Sequence, residues 1–217
     1  MIDIVHWGRI PYSEAWQKQT ALFQARIEAK QQGENLLPDL LISCEHNPVY
    51  TLGKNGMINN LLLGNNELEQ KGVEFFKTDR GGDITYHGPG QIVIYPILDL
   101  EHFGLGLKAY INCLEEAVIS FLKNRDIQAG RLDGATGVWL QNPARKICAI
   151  GVRCSRYITM HGLALNINTD LNYFRFINPC GFVDKGVTSL QAELGGAVQD
   201  LNLCRDELMQ ELKKQFS

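Results

Sequence analysis

A thiol and an amine are the two side chains of this sequence whose settings suggest covalent chemistry. Cys180 stands in "INPCGF", between Pro179, which fixes φ, and Gly181, which tolerates almost any backbone conformation. The stretch reads as a bend, and a cysteine on a bend has the access that a nucleophile needs. Lys146 opens "KICAIGVR", beside an apolar run that can desolvate an ammonium and lower its pKa toward neutrality. Strand alternation would put Lys146, Cys148 and Ile150 on one face and Ile147, Ala149 and Gly151 on the other, so Cys148 competes with Cys180 for the lysine. Burial within "ICAIGV" would raise the Cys148 pKa and make it inert. His87 and His161 offer a rival arrangement, a Cys–His couple, although a lone strand histidine is more often a satisfied core residue.

The densest unusual segment is "RGGDITYHGPGQ", residues 80 to 91, where Gly81, Gly82, Gly88 and Gly90 crowd between two strands. Glycines let backbone N–H groups approach a ligand closely, so this loop could cradle an acyl chain or a carbonyl oxygen. It is neither a dinucleotide fingerprint nor a Walker loop, because it lacks G-x-G-x-x-G before a helix and G-K-[ST] after it. Gly162, beside His161, marks a second place of close backbone approach. Cys44 and His46 form a C-x-H pair without a second pair at ligand spacing, so no metal site is expected.

The elements that must hold these residues follow from hydropathy. "IDIVHWG" is an expected strand, followed by a helix opening near Ser13 and Glu14 with Trp16, Phe23 and Ile27 on one face. "DLLISCEHNPVYTLG" reads as two strands broken at Asn47-Pro48, and "VEFFKTD" as another. The continuously apolar "QIVIYPI" suits a strand covered on both faces. Tyr110, Ile111, Leu114, Val118, Phe121 and Leu122 repeat at helical spacing, and a last helix runs through "DLNLCRDELMQELKKQF". Between them "GVWLQN", "KICAIGVRC" and "ITMHGLALNIN" read as a three-stranded antiparallel meander, giving an α+β or mixed-sheet α/β domain.

With 217 residues and no Pro/Ser-rich or charge-run linker, the chain reads as one domain, 1–217. Its net charge of −3 supplies no basic field for phosphates, so nucleic acid is an unexpected partner. No apolar run is long enough to span a bilayer and the start lacks a secretory signal, so a cytoplasmic protein is expected. Six scattered cysteines without a C-x-x-C pair do not make a disulfide framework.

Together, "RGGDITYHGPGQIVIYP", "KICAIGVRCSRYITMHGLALNIN" and "NPCGF" resemble the lipoyl(octanoyl) transferase family, and "EHNPVYTLG" is similar to a further stretch of it. The resemblance covers nearly the whole chain in order. It implies a single domain with a mixed, largely antiparallel sheet flanked by helices, akin to lipoate and biotin ligase catalytic domains. It implies Cys180 as acyl-thioester nucleophile and Lys146 as acid/base, with neither cofactor nor metal. It implies a substrate-binding loop of Arg80, Gly81, Gly82, Asp83, Ile84, Thr85, Tyr86 and His87. Ala149, Ile150 and Gly151, then Gly162, Leu163 and Ala164, would line the rest of the pocket. The implied donor is octanoyl-acyl carrier protein. The implied acceptors are lipoyl domains of 2-oxoacid dehydrogenase E2 subunits and the glycine cleavage H protein. An ATP-dependent lipoate or biotin ligase is the alternative, and it would need no nucleophilic cysteine.

Overall fold

The computed structural model describes residues 2–33, 37–178 and 185–216, and in them the expected strands gather into two sheets together with three short strands that the sequence pattern does not mark, one of them Ile84–His87 within the glycine-rich loop. The larger sheet has the order β1 (Ile2–Ile10), β2 (Asp39–His46), β6 (Gln91–Ile97), β10 (Ile158–Asn166), β9 (Arg145–Ser155), β8 (Ala135–Leu140) and β7 (Gly130–Leu132). Only the β1–β2 pair along that path is parallel. A short strand, β11 (Gly186–Val187), adds in parallel to the start of β9. The smaller sheet has β3 (Val49–Leu52) between β4 (Glu74–Lys77) and β5 (Ile84–His87).

Helices cover both faces of the large sheet. Against one face pack α3 (Leu107–Lys123) and α5 (Leu201–Gln215), whose buried Leu114, Val118, Phe121, Leu208 and Leu212 meet Ile92, Ile94, Leu163 and Leu165. The Asp200 carboxylate accepts from the N–H groups of Asn202 and Leu203 and so caps α5. Against the other face lies α1 (Tyr12–Gln31), whose Ala15 and Phe23 pack on Ile42, Val93, Tyr95 and Ile97. Every residue of β6 is buried because its alternate side chains enter both cores, as its unbroken apolar run led us to expect. The short helices α2 (Asn65–Gln70) and α4 (Leu190–Glu193) complete the framework.

One feature of β9 departs from simple alternation. Val138 of β8 lies opposite Cys148, yet the next residue, Trp139, lies opposite Lys146, so Ile147 is an extra residue in a β-bulge. Ile147 and Cys148 therefore both enter the α3 core, where each is fully buried. Lys146 is turned to the opposite face. The expected sharing of one face by Lys146, Cys148 and Ile150 is thus corrected: the bulge puts Lys146 with Ala149 and Gly151 on the α1 side of the sheet.

Candidate active site

Between the large sheet and the smaller one lies a cavity of about 370 Å³. Its floor is the face that the bulge gives to Lys146. Ala149, Ala164 and Val93 are successive cross-strand partners of β9, β10 and β6, and they form one lane of small side chains across the floor. Gly151, paired with Gly162, begins the next lane, and Tyr95 ends it. On the Lys146 side the paired Asn166 and Gln91 add a polar lane. Ile150 and Leu163 also reach the wall although their side chains belong to the α3 core.

The loop after β4 roofs this floor and is held there by hydrogen bonds. Arg80 is buried and donates from Nε to Thr51 Oγ1 at 3.2 Å, from Nη2 to Thr51 O at 2.6 Å and Asp83 O at 2.7 Å, and from Nη1 to Gly81 O at 2.9 Å. Much of its donor capacity is spent shaping the loop that contains it. The Gly81 N–H donates to Val152 O at 2.9 Å and pins the loop across β9. A Cβ at Gly151 would sit 2.7 Å from Gly81 O, so only glycine allows that approach. Asp83 accepts from the Ile84 N–H and from Asn60 Nδ2. Gly82, Asp83, Ile84, Thr85 and His87 line the cavity, as Arg80 does; Gly81 and Tyr86 do not. Tyr86 instead stacks on Tyr173, with centroids 4.6 Å apart, inside the core under the small sheet.

Three histidines around the cavity, His87, His46 and His161, are held in structural hydrogen bonds, and burial lowers the pKa of each. His87 donates from Nδ1 to Gln91 Oε1 at 2.8 Å, and Gln91 passes the chain on to Asn166 and Tyr86 O. Burial, reinforced by nearby His46, lowers the His87 pKa to about 3. His46 donates from Nδ1 to Ile10 O, which leaves Nε2 to accept from the Tyr95 hydroxyl at 2.6 Å. Burial lowers its pKa to about 4. His161 Nε2 donates to Asp79 Oδ1 at 2.7 Å, and Arg153 binds the other Asp79 oxygen. The His161 hydrogen bond is the first cause that holds the Asp79 pKa down to about 2. This engagement leaves the Cys–His alternative without a solvated imidazole near Lys146.

Lys146 lines the cavity with its Nζ 4.7 Å from the centroid of the Trp139 ring, the side chain opposite it across the bulge. Cys148 is fully buried on the other face, and desolvation raises its pKa although Lys146 acts to lower it. It is not an accessible rival. Cys180 lies outside the described residues. Residues on either side of its segment lead to the cavity: Phe174 and Val187 line it, and Val187 pairs with Lys146 while the Thr188 N–H donates to Lys146 O at 2.9 Å. Sequence reasoning missed Tyr12, Tyr95, Asn166 and the Gly134–Thr136 edge. Asp133-Gly134 is a hairpin-turn signal that pointed to the last of these; nothing local marks the others.

A family model described as the lipoyl protein ligase A/B catalytic domain matches residues 11–217. An octanoyltransferase of Bacteroides fragilis is 59% identical over 209 residues, which cover 95% of this chain and 94% of that protein. One from Parabacteroides distasonis is 56% identical, covering 93% and 92%. This chain belongs to the octanoyltransferase family. As an octanoyltransferase it is an acyltransferase enzyme, in agreement with the resemblance carried by its motifs. Solved structures with a similar fold include a bipartite lipoate protein ligase from Thermoplasma acidophilum, with a TM-score of 0.72 at 13% identity over 99% of this chain and 84% of that one. A biotin protein ligase from Aquifex aeolicus gives 0.52 at 12% identity over 99% and 67%. At such identities they speak for the octanoyltransferase's fold alone, a mixed α/β domain of the ligase type. Among its described residues no helix is long and apolar enough to cross a membrane.

Proposed function

We propose that this octanoyltransferase moves an octanoyl group from the phosphopantetheine thiol of octanoyl-acyl carrier protein to Cys180, and from there to the ε-amine of a lysine on a lipoyl domain. The acceptors would be the lipoyl domains of 2-oxoacid dehydrogenase E2 subunits and the glycine cleavage H protein. The observation that carries this reading is the parallel pairing of Val187 with Lys146, which brings chain just downstream of Cys180 beside a lysine on the cavity wall.

In the first half-reaction, neutral Lys146 takes the Cys180 proton and the thiolate attacks the donor thioester carbonyl. The carbon–sulfur bond to phosphopantetheine breaks, and the donor thiol leaves with the proton returned by Lys146. In the second, the acceptor amine attacks the Cys180 thioester, Lys146 accepts the amine proton, and Cys180 leaves as a thiol protonated by the same lysine. Thioester to thioester is nearly level and thioester to amide runs downhill, so ATP is not required. The apolar lane of Ala149, Ala164 and Val93 suits a methylene chain, each buried CH₂ contributing about 0.8 kcal/mol.

The test is the intact mass of the protein after mixing with octanoyl-acyl carrier protein in the absence of ATP, beside Cys180→Ser and Cys148→Ser. One octanoyl adduct that survives Cys148→Ser, disappears in Cys180→Ser and discharges onto an apo lipoyl domain is the expected result. Transfer that appears only with free octanoate and ATP, with no adduct, would replace this mechanism by a ligase one.

A further inference from the structure

The cavity has a direction. Its rim, at Gly82, Gly134 and Thr136, is exposed, and Lys146 and Ala149 are half-buried, whereas Tyr12, Tyr95 and His87 at the β6 and α1 side are almost fully buried. From Ala149 the floor crosses β10 to Val93 on β6, two interstrand spacings of about 4.8 Å each. A chain entering at Lys146 and following that lane runs across the strands toward the two tyrosines.

We propose that the wall of Tyr12, Tyr95 and His87 is a chain-length stop that limits this cavity to medium-length acyl chains. The proposal rests on the acyl-transfer function above. Hydrogen bonds and ring contacts hold the wall rigid, so it differs from an end lined with rotatable aliphatic side chains. The Tyr95 hydroxyl donates to His46, which is anchored on Ile10 O, and His87 is anchored on Gln91. Tyr12 stacks on His87 with planes 5° apart, and sits 5.3 Å from the ring centroids of both His46 and Phe76. A longer chain would have to displace close-packed rings and leave buried histidines unpaired, which additional methylenes do not offset.

Tyr12 is the position to change, because ring contacts hold it in the wall, whereas loss of Tyr95 or His87 would orphan the hydrogen-bond partner His46 or Gln91. Transfer to an apo lipoyl domain would be measured with octanoyl-, decanoyl- and dodecanoyl-acyl carrier protein for wild type and Tyr12→Val. We expect the wild-type dodecanoyl rate to be less than one tenth of the octanoyl rate, and the ratio to rise at least tenfold in Tyr12→Val. An unchanged ratio in a folded variant would overturn the stop. Nuclear Overhauser contacts from the terminal methyl of methyl-¹³C octanoate bound to wild-type protein give a second test that needs no variant. Contacts with the Tyr12 and Tyr95 rings are expected, and contacts with Phe174 and Val187 instead would overturn the direction. A wild-type enzyme that transfers no chain of any length would remove the acyl-transfer reading itself.

Discussion

Lys146 and His87 show how one side chain's surroundings decide what it can do. Lys146 is the amine on the cavity wall, and Lys146→Met should reduce octanoyl transfer by about 10²–10⁴-fold, the usual contribution of a positioned acid/base. Its melting temperature should stay near wild type; a transfer rate within threefold of wild type would remove Lys146 from the mechanism. His87, by contrast, is kept neutral by burial. Its folded pKa of about 3 lies below that of an exposed imidazole, so the unfolded chain binds a proton that the native chain refuses. Stability contributed by the neutral form is complete above pH 6.5 and declines as the pH falls toward 3. His46, held to about 4, behaves alike. Urea unfolding between pH 6.5 and 4.5 should therefore lose about 1 kcal/mol per pH unit for each buried histidine, the slope steepening as the pH leaves 6.5. His87→Gln should lower that slope by one histidine's share, which denaturation curves at several pH values will check.

At the scale of elements, the bulge in β9 is the device that turns a lysine from the core to the cavity. Gly137 of β8 makes it possible: its φ is +120°, and a Cβ there would lie 2.5 Å from Cys148 O and 3.6 Å from Lys146 Cε. Its N–H is held by buried Glu115 at 3.0 Å. Gly137→Ala should cost about 1–3 kcal/mol of stability through backbone strain and lower transfer at least tenfold by displacing Lys146. Gly130→Ala, where a Cβ meets open space, is the control and should change neither. Equal effects of the two substitutions on unfolding and transfer would refute this account of the bulge.

At the scale of the whole molecule, a buried ion pair ties the layers together. Arg26 of α1 meets Asp39 at the start of β2 at 3.2 Å, each side chain 5% exposed, and Asp39 also accepts from the Asp99 N–H and from His102. Arg26→Met leaves a buried carboxylate without its cation and should destabilise the protein by about 3–5 kcal/mol. Adding Asp39→Asn should recover part of that loss, which a double-mutant cycle in urea will measure. A single-substitution cost near zero would mean that water already solvates Asp39.

The sequence by itself determined the longer elements, because hydrophobic periods of two and 3.6 are local properties; β6, α3 and the meander lie where those periods put them, whereas β5, inside the segment read as a glycine-rich loop, and the short β7 and β11 carry too few residues to show a period. It also raised Lys146 and the glycine-rich loop as candidates, since a lysine beside an apolar run and clustered glycines are visible without coordinates, while their proposed roles came from the resemblance of the motifs to a family. It placed Lys146 beside Cys148, and that failed because alternation assumes an unbroken ladder, whereas a bulge is a relation between two strands. Tyr12 and Tyr95 are 83 residues apart in the numbering, one on a helix and one in an apolar strand that reads as pure core. Only packing of α1 over β6 brings them to the end of the same cavity. Patterns along the chain record which residues can be buried, while the tertiary structure decides which of them meet, because that depends on pairing between distant segments.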